Sequence, residues 1–228
     1  NCRDIDIIYI ALPNSLHLEW AIKCIKNNKN ILIEKPATLT YLEALNIKNH
    51  LKKQKVLFAE AFQYRYLPQT QKLLSLIEKD IIGDIVSIKS SFGNNLLSKK
   101  NIFGFSKKKT IDKDNRLFNK KLGGGAILDL GCYPVSLCVL IANMLKIDCK
   151  KVKVENKIVK KDGLDIDVDS YLEINFDNKF RTILSASFKK DIGKKTEITG
   201  KKGKIIIEDT WHGEPSVIIL NGDTKKKI

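Results

Sequence analysis

The sequence predicts an α/β chain that opens on a parallel sheet and continues as an α+β region with an antiparallel sheet. Three observations carry that prediction. Strand and helix signals alternate through the first sixty or so residues, the βαβ pattern of parallel strands. The signal changes after about Tyr64 to a helix, a basic stretch, an apolar helix and then a run of strands. Hydrophobic residues make up 43% of 228, enough for a real core. No uninterrupted apolar run reaches the roughly 18–20 residues of a membrane span.

Ile5 to Leu12 is almost continuously apolar, as expected of a parallel strand covered on both faces. Pro13-Asn14-Ser15 breaks it, and His17 to Asn27 has Leu18, Ala21, Ile22 and Ile25 on one helical side. Asn30 to Ile33 is a second strand, ending at Glu34-Lys35-Pro36. Thr40 with Glu43 three residues on is a capping pair for a helix to about Lys53. Val56 to Ala59 is a third strand. In parallel sheets ligands gather at the carboxyl ends of strands. Three strand tips therefore stand out: Leu12-Pro13-Asn14, Glu34-Lys35-Pro36 and Glu60-Ala61-Phe62.

Pro68 to Lys79 reads as a helix, and Ile82-Gly83-Asp84 as a turn into a strand from Ile85 to Phe92. Gly123-Gly124-Gly125 precedes Ala126 to Leu145, a stretch broken by Asp129, Gly131, Pro134 and Asn143 and read as a buried helix or helix pair. Strands follow at Tyr171–Phe176, Thr182–Ala186, Thr196–Ile198 and Ile205–Ile207, the last two joined by Gly200-Lys201-Lys202-Gly203. Their alternation suggests an antiparallel sheet with one covered face. No G-x-G-x-x-G occurs, and the glycine run at 123–125 is not one.

The five cysteines form no C-x-x-C pair, so reduced thiols in the cytoplasm are expected rather than a disulfide framework or zinc site. His17, His50 and His212 lack metal-ligand spacing. The formal charge is +15. A basic balance can signal nucleic acid. Here the lysines are scattered, with denser clusters at Lys99–Lys121 and Lys189–Lys204 that lack regular aromatics, so a solvated lysine surface is expected, with no nucleic-acid or membrane partner.

Lys35, at a strand tip beside Pro36, can present a cation to an alcohol or carbonyl oxygen. Asp129 and Tyr133 are four apart and share a helix face. Tyr133 could exchange a proton with a substrate hydroxyl if a nearby ammonium lowers its pKa, and Asp129 could orient the substrate. Pro134 is expected to disturb the helix at Tyr133. His17, in the first turn of its helix, could reach a nucleotide ribose or phosphate.

Together these segments resemble the Gfo/Idh/MocA oxidoreductase family. Ile7 to His17 is similar to its strand-to-helix segment, and Glu34-Lys35-Pro36 to its E-K-P motif. Glu60 to Gln69, and Arg116 to Phe118 with Gly123 to Pro134, look most like the branch of dihydrodiol dehydrogenases and NADP-linked xylose dehydrogenases. The resemblance implies a partial Rossmann domain over residues 1–62 and an α+β substrate and oligomerisation domain over 63–228, with a large, mostly antiparallel open sheet whose face often makes a dimer.

It implies hydride transfer between NAD or NADP, with NADP favoured, and a hydroxyl-bearing carbon of a sugar, polyol or cyclic diol. Lys35, Tyr133 and Asp129 would be catalytic. Leu12, Pro13, Asn14, His17, Glu34, Lys35 and Arg116 would line the cofactor; no metal is implied. The family's first strand, glycine loop and following strand are expected to precede Asn1, and its closing segment to follow Ile228, so this chain alone is expected to be incomplete for activity. A basic nucleic-acid module, or a relative using the fold for sensing or redox-assisted bond cleavage, remain the alternatives.

Overall fold

The computed structural model describes residues 4–100, 106–112, 114–213, 216–221 and 224–227. Cys2 and part of the basic stretch at 99–121 lie outside the described residues.

Strands β1 (Ile7–Ile10), β2 (Asn30–Ile33) and β3 (Phe58–Glu60) form a parallel sheet in that order. Helices α1 (His17–Lys26) and α2 (Tyr41–Leu51) make the crossovers. The expected capping pair is present: Thr40 Oγ1 accepts from Glu43 N, and Glu43 Oε2 accepts from Leu39 N. Register aligns Ile8 with Ile31 and Ile10 with Ile33. These side chains pack with Ala21, Cys24, Ile25 and Ile47 into one core.

The expectation that β1 is covered on both faces is not met: Ile7 is 60% and Tyr9 55% exposed. Among the described residues α1 and α2 both lie on one face of the sheet, as right-handed crossovers that step twice in the same direction require.

Beyond Tyr64 the chain forms α3 (Pro68–Glu78), β4 (Ile85–Gly93), the small hairpin β5 (Ser98–Lys100) and β6 (Ser106–Lys108), and α4 (Cys132–Met144). Then come β7 (Val152–Lys160), β8 (Asp169–Phe176), β9 (Phe180–Ser187), β10 (Thr196–Gly200), β11 (Lys204–Ile207), β12 (Ile218–Asn221) and β13 (Thr224–Lys227). Apart from β5 and β6 these strands make an eight-stranded sheet, ordered β13-β12-β11-β10-β4-β9-β8-β7. Every pair is antiparallel except β4 with β9.

Residues 120–144 are long and apolar enough to cross a membrane by composition alone. In the structure α4 is a core helix: Leu137, Cys138, Ile141 and Ala142 are fully buried, packed with Ile88, Phe92, Leu184 and Ala186 of the sheet. Each buried Leu or Ile there contributes roughly 1.5–3 kcal/mol. Pro134 does not break α4, because it lies in the first turn, where a helix does not need its N–H. The disturbance expected at Tyr133 falls just upstream, as a π-helical turn at Ile127–Gly131.

Candidate active site

The three strand tips and the glycine-led helix converge. Lys35 follows β2, and its peptide to Pro36 is cis. Its Nζ donates to Asp129 O at 2.7 Å and Oδ1 at 3.0 Å. Both side chains are largely shielded, 14% and 13% exposed. Arg116 Nη1 reaches the same Oδ1 at 3.3 Å from a more exposed position. The Lys35 ammonium also stands 4.9 Å from the centre of the Tyr133 ring, a cation–π distance.

Asp129 is held in place by the glycine run. Gly123 has φ +86°, and a Cβ there would meet Leu39 and Asn14 at 2.5 and 3.0 Å. Gly125 has φ +123°, and its Cβ would strike Asp167. That absence of side chains lets the turn press against both the loop after β1 and Asp167. Asp167 Oδ2 then accepts from Ile127 N at 2.7 Å, and Asp167 O from Ala126 N at 2.9 Å, fixing the start of the π turn.

Tyr133 is 6% exposed and ringed by Phe62, Tyr64, Phe92, Trp211 and His212, with centroids 5.3–6.4 Å away. Its hydroxyl takes no hydrogen bond among the described residues. The expected lowering of its pKa is not found. Burial pushes the phenol well above its ordinary value, and Cys132, Asp129, Glu34 and Tyr64 push the same way. Asp129 pairs directly with the Lys35 charge, so the ammonium does not dominate. Tyr133 is thus a protonated phenol at neutral pH.

Leu12, Pro13, Asn14, Glu34, Lys35 and Arg116, with Ala11, line one cleft of 340 Å³. His17 does not join them. It is fully buried beneath the cleft, with Nδ1 3.0 Å from Pro36 O and Nε2 2.9 Å from Leu12 O. Both ring nitrogens are thereby engaged, so His17 ties the first two strand tips together rather than reaching a nucleotide. Glu34 Oε1 accepts from the Tyr9 hydroxyl. Glu60 Oε1 accepts from Ala37 N at 2.7 Å, bracing the segment after Pro36. Burial raises the Glu60 carboxyl above its ordinary range, against the opposing effects of Ala37 N, Arg65, His17 and Lys35.

Sequence reasoning missed Glu60 as a brace, Asp167 as a clamp and the aromatic ring around Tyr133. Only Glu60 carried a signal, its place at a strand tip. A larger cavity, 830 Å³, lies at the opposite end of β4 near Asp84, Asp177 and Lys201. Its acids are paired, Lys201 with Asp84 at 2.8 Å and Lys151 with Asp177 at 3.8 Å, so the cleft at the strand tips is the stronger candidate.

In the second basic cluster all seven lysines between Lys189 and Lys204 lie beside acids, from Lys189 with Asp162 to Lys204 with Glu197. Cys24, Cys132, Cys138 and Cys149 are free thiols. Among the described residues no group of three metal-ligating side chains occurs.

A cleft at the strand tips of a parallel sheet thus faces an acid and a phenol carried by the π turn and α4, a helical segment packed on an open, mostly antiparallel sheet. The chain belongs to the Gfo/Idh/MocA oxidoreductase family: the family's NAD-binding Rossmann profile matches residues 1–62 and its C-terminal domain profile residues 70–206. It is 30% identical to a trans-1,2-dihydrobenzene-1,2-diol dehydrogenase of Xenopus tropicalis over 98% of this chain and 61% of that protein. It is also 30% identical to a D-xylose 1-dehydrogenase (NADP(+)) of Haloferax volcanii, over 58% of this chain and 36% of the relative. A 3-ketoreductase from Actinomadura kijaniata, solved with NADP and TDP-benzene, shares the fold with a TM-score of 0.80 at 20% identity, over 100% of this chain and 65% of that one. The chain thus spans less than two thirds of the length of these relatives.

Proposed function

We propose that this chain carries the catalytic face of an NAD(P)-dependent dehydrogenase acting on a CH–OH group of a sugar, polyol or cyclic diol, with NADP favoured. One observation supports it above the others: the Lys35 ammonium, fixed by Asp129, faces a buried Tyr133 whose hydroxyl has no partner among the described residues. Residues 1–62 are taken as the back of the dinucleotide-binding unit and 63–228 as the substrate and oligomerisation unit.

The cleft suits the nicotinamide end of a dinucleotide. It lies at the carboxyl ends of β1 and β2, where such groups bind, and its 340 Å³ is at the small end of the roughly 300–1,000 Å³ of ligand sites. Leu12 and Pro13 offer apolar contact; Asn14, Glu34 and Arg116 offer polar contact. The nicotinamide, when bound, exchanges a hydride with the substrate carbon. Lys35 donates a hydrogen bond to the substrate oxygen. Tyr133, protonated because buried, gives its proton to that oxygen as a carbonyl is reduced and recovers one in the reverse direction. Asp129 holds Lys35 in reach. His17, behind the cleft, keeps Leu12 and Pro36 in register.

The exposed apolar side chains Val86, Val154 and Ile158 on the large sheet favour a homodimer or higher homo-oligomer, and the free thiols a cytoplasmic setting.

The test is Lys35→Ala in a version of the chain extended to the length of its relatives, followed by reduced-nicotinamide absorbance with aldoses, polyols and cyclic diols. Turnover is expected to vanish while cofactor binding persists. Retained turnover would remove Lys35 from the chemistry.

A further inference from the structure

His212 stands on the wall of the same site, and nothing in the reaction outlined above uses it. Its ring lies 6.4 Å from the Tyr133 ring and edge-on to Phe92 at 5.6 Å. The turn that presents it is fixed from several directions. Asp209 Oδ1 accepts from Trp211 N at 3.2 Å and His212 N at 3.1 Å. The buried Gln69 donates through Nε2 to Asp209 O at 3.4 Å and Gly213 O at 3.3 Å. The fully buried Trp211 donates to Ser91 O at 2.9 Å. Despite this anchoring, the imidazole is exposed and its ring nitrogens take no hydrogen bond among the described residues.

Two neighbouring rings, Tyr133 and His212, therefore each hold an uncommitted polar group on a rigid support. We propose that His212 is a specificity-determining residue that hydrogen-bonds the second hydroxyl of a vicinal diol whose first hydroxyl sits between Lys35 and Tyr133. Hydrogen bonds of roughly 2.8 Å at each end let adjacent oxygens of one small molecule reach both rings. The other charged groups nearby are Lys194, paired with Asp209 at 3.4 Å, and Lys35. Burial, Lys194 and Lys35 lower the His212 pKa, so the imidazole is neutral at pH 7 and offers one donor and one acceptor, the match for a hydroxyl. This assignment rests on the dehydrogenase reading, and the experiment separates the two.

The chain has only three histidines. His17 is buried, and His50 lies on α2, bonded to Asn46 O. Each C2–H proton resonance is therefore assignable by substitution. trans-Cyclohexane-1,2-diol and cyclohexanol, which differ by one hydroxyl, are titrated, with NADP+ bound, into the same extended version of the chain used for Lys35→Ala. The diol is expected to shift the His212 resonance and leave His50 unmoved. His212→Phe, which keeps the ring contacts, should weaken the diol roughly fivefold, the loss of one uncharged hydrogen bond, and leave cyclohexanol unchanged. His212→Asn should recover most of the diol affinity. Diol binding that Lys35→Ala weakens but His212→Phe does not would overturn the role of His212 and leave the dehydrogenase reading standing. No binding of either alcohol would overturn both.

Discussion

Replacing Asp129 by Asn removes the charge that faces Lys35 while keeping the side chain's size. The magnitude follows from the surroundings. The Lys35–Asp129 pair is 14% and 13% exposed, between surface pairs worth about 0.2–1 kcal/mol and buried pairs whose disruption costs about 3–5 kcal/mol. Lys35 keeps the Asp129 carbonyl at 2.7 Å, which softens the loss. Asp129→Asn should cost about 2 kcal/mol. Lys35→Met should cost less, about 1 kcal/mol, because Asp129 retains Arg116 at 3.3 Å. The double variant should fall near 1.5 kcal/mol, giving a coupling of about 1.5 kcal/mol. Urea unfolding followed by the fluorescence of Trp20 and Trp211 measures each corner. For a chain of this size, 1 kcal/mol moves Tm by roughly 2–4 °C. A coupling under about 0.5 kcal/mol, or Lys35→Met costing more than Asp129→Asn, would refute the shielded pair and the secondary place given to Arg116.

His17→Ala, which removes the buried imidazole seated between the Leu12 and Pro36 carbonyls, should cost about 2–3 kcal/mol and speed amide exchange at both strand tips; an unchanged Tm would contradict the tie. Glu60 keeps its proton to higher pH in the folded chain than unfolded, so its burial costs nothing at low pH and costs stability as pH rises through the folded value. The Tm gain of Glu60→Gln should therefore grow as pH rises above the ordinary carboxylate range and vanish near ~4; a pH-independent difference would oppose this. Burial pushes the Cys132 thiol up to about 12, so mass spectrometry should find it alkylated by iodoacetamide at least ~100-fold more slowly than a free thiol; rapid labelling would place it in a different environment.

Local chemistry made most elements readable. Thr40 and Glu43 marked the start of α2 because a cap is a matter of residues three apart. Asn30–Ile33 was bounded by a turn and a proline. Other features depend on contacts between distant segments. Nothing near Ile7 or Tyr9 tells that both crossover helices fall on one face. The strands β12 and β13 follow a turn with little apolar alternation. Lys35, Asp129 and Tyr133 could be singled out because strand tips and helical spacing are local rules, but the Tyr133 environment is made by Phe62, Tyr64, Phe92 and Trp211, spread over about 150 positions. That is why the direction of its pKa was misread. His17 was misread for a similar reason: its partner at Pro36 lies beyond a helix and a strand.

The widened turn at Ile127–Gly131 separates two jobs that a regular helix would lock together. Each α-helical residue advances the direction of its side chain by about 100°, so a single additional residue resets the angular phase between what comes before and what comes after. Asp129 can aim at an ammonium while Leu137 and Ile141 stay bedded on the sheet. Chain length at this point thus acts as a tuning dial for the chemistry, and a one-residue trim would redirect the acid without disturbing the buried face of the helix.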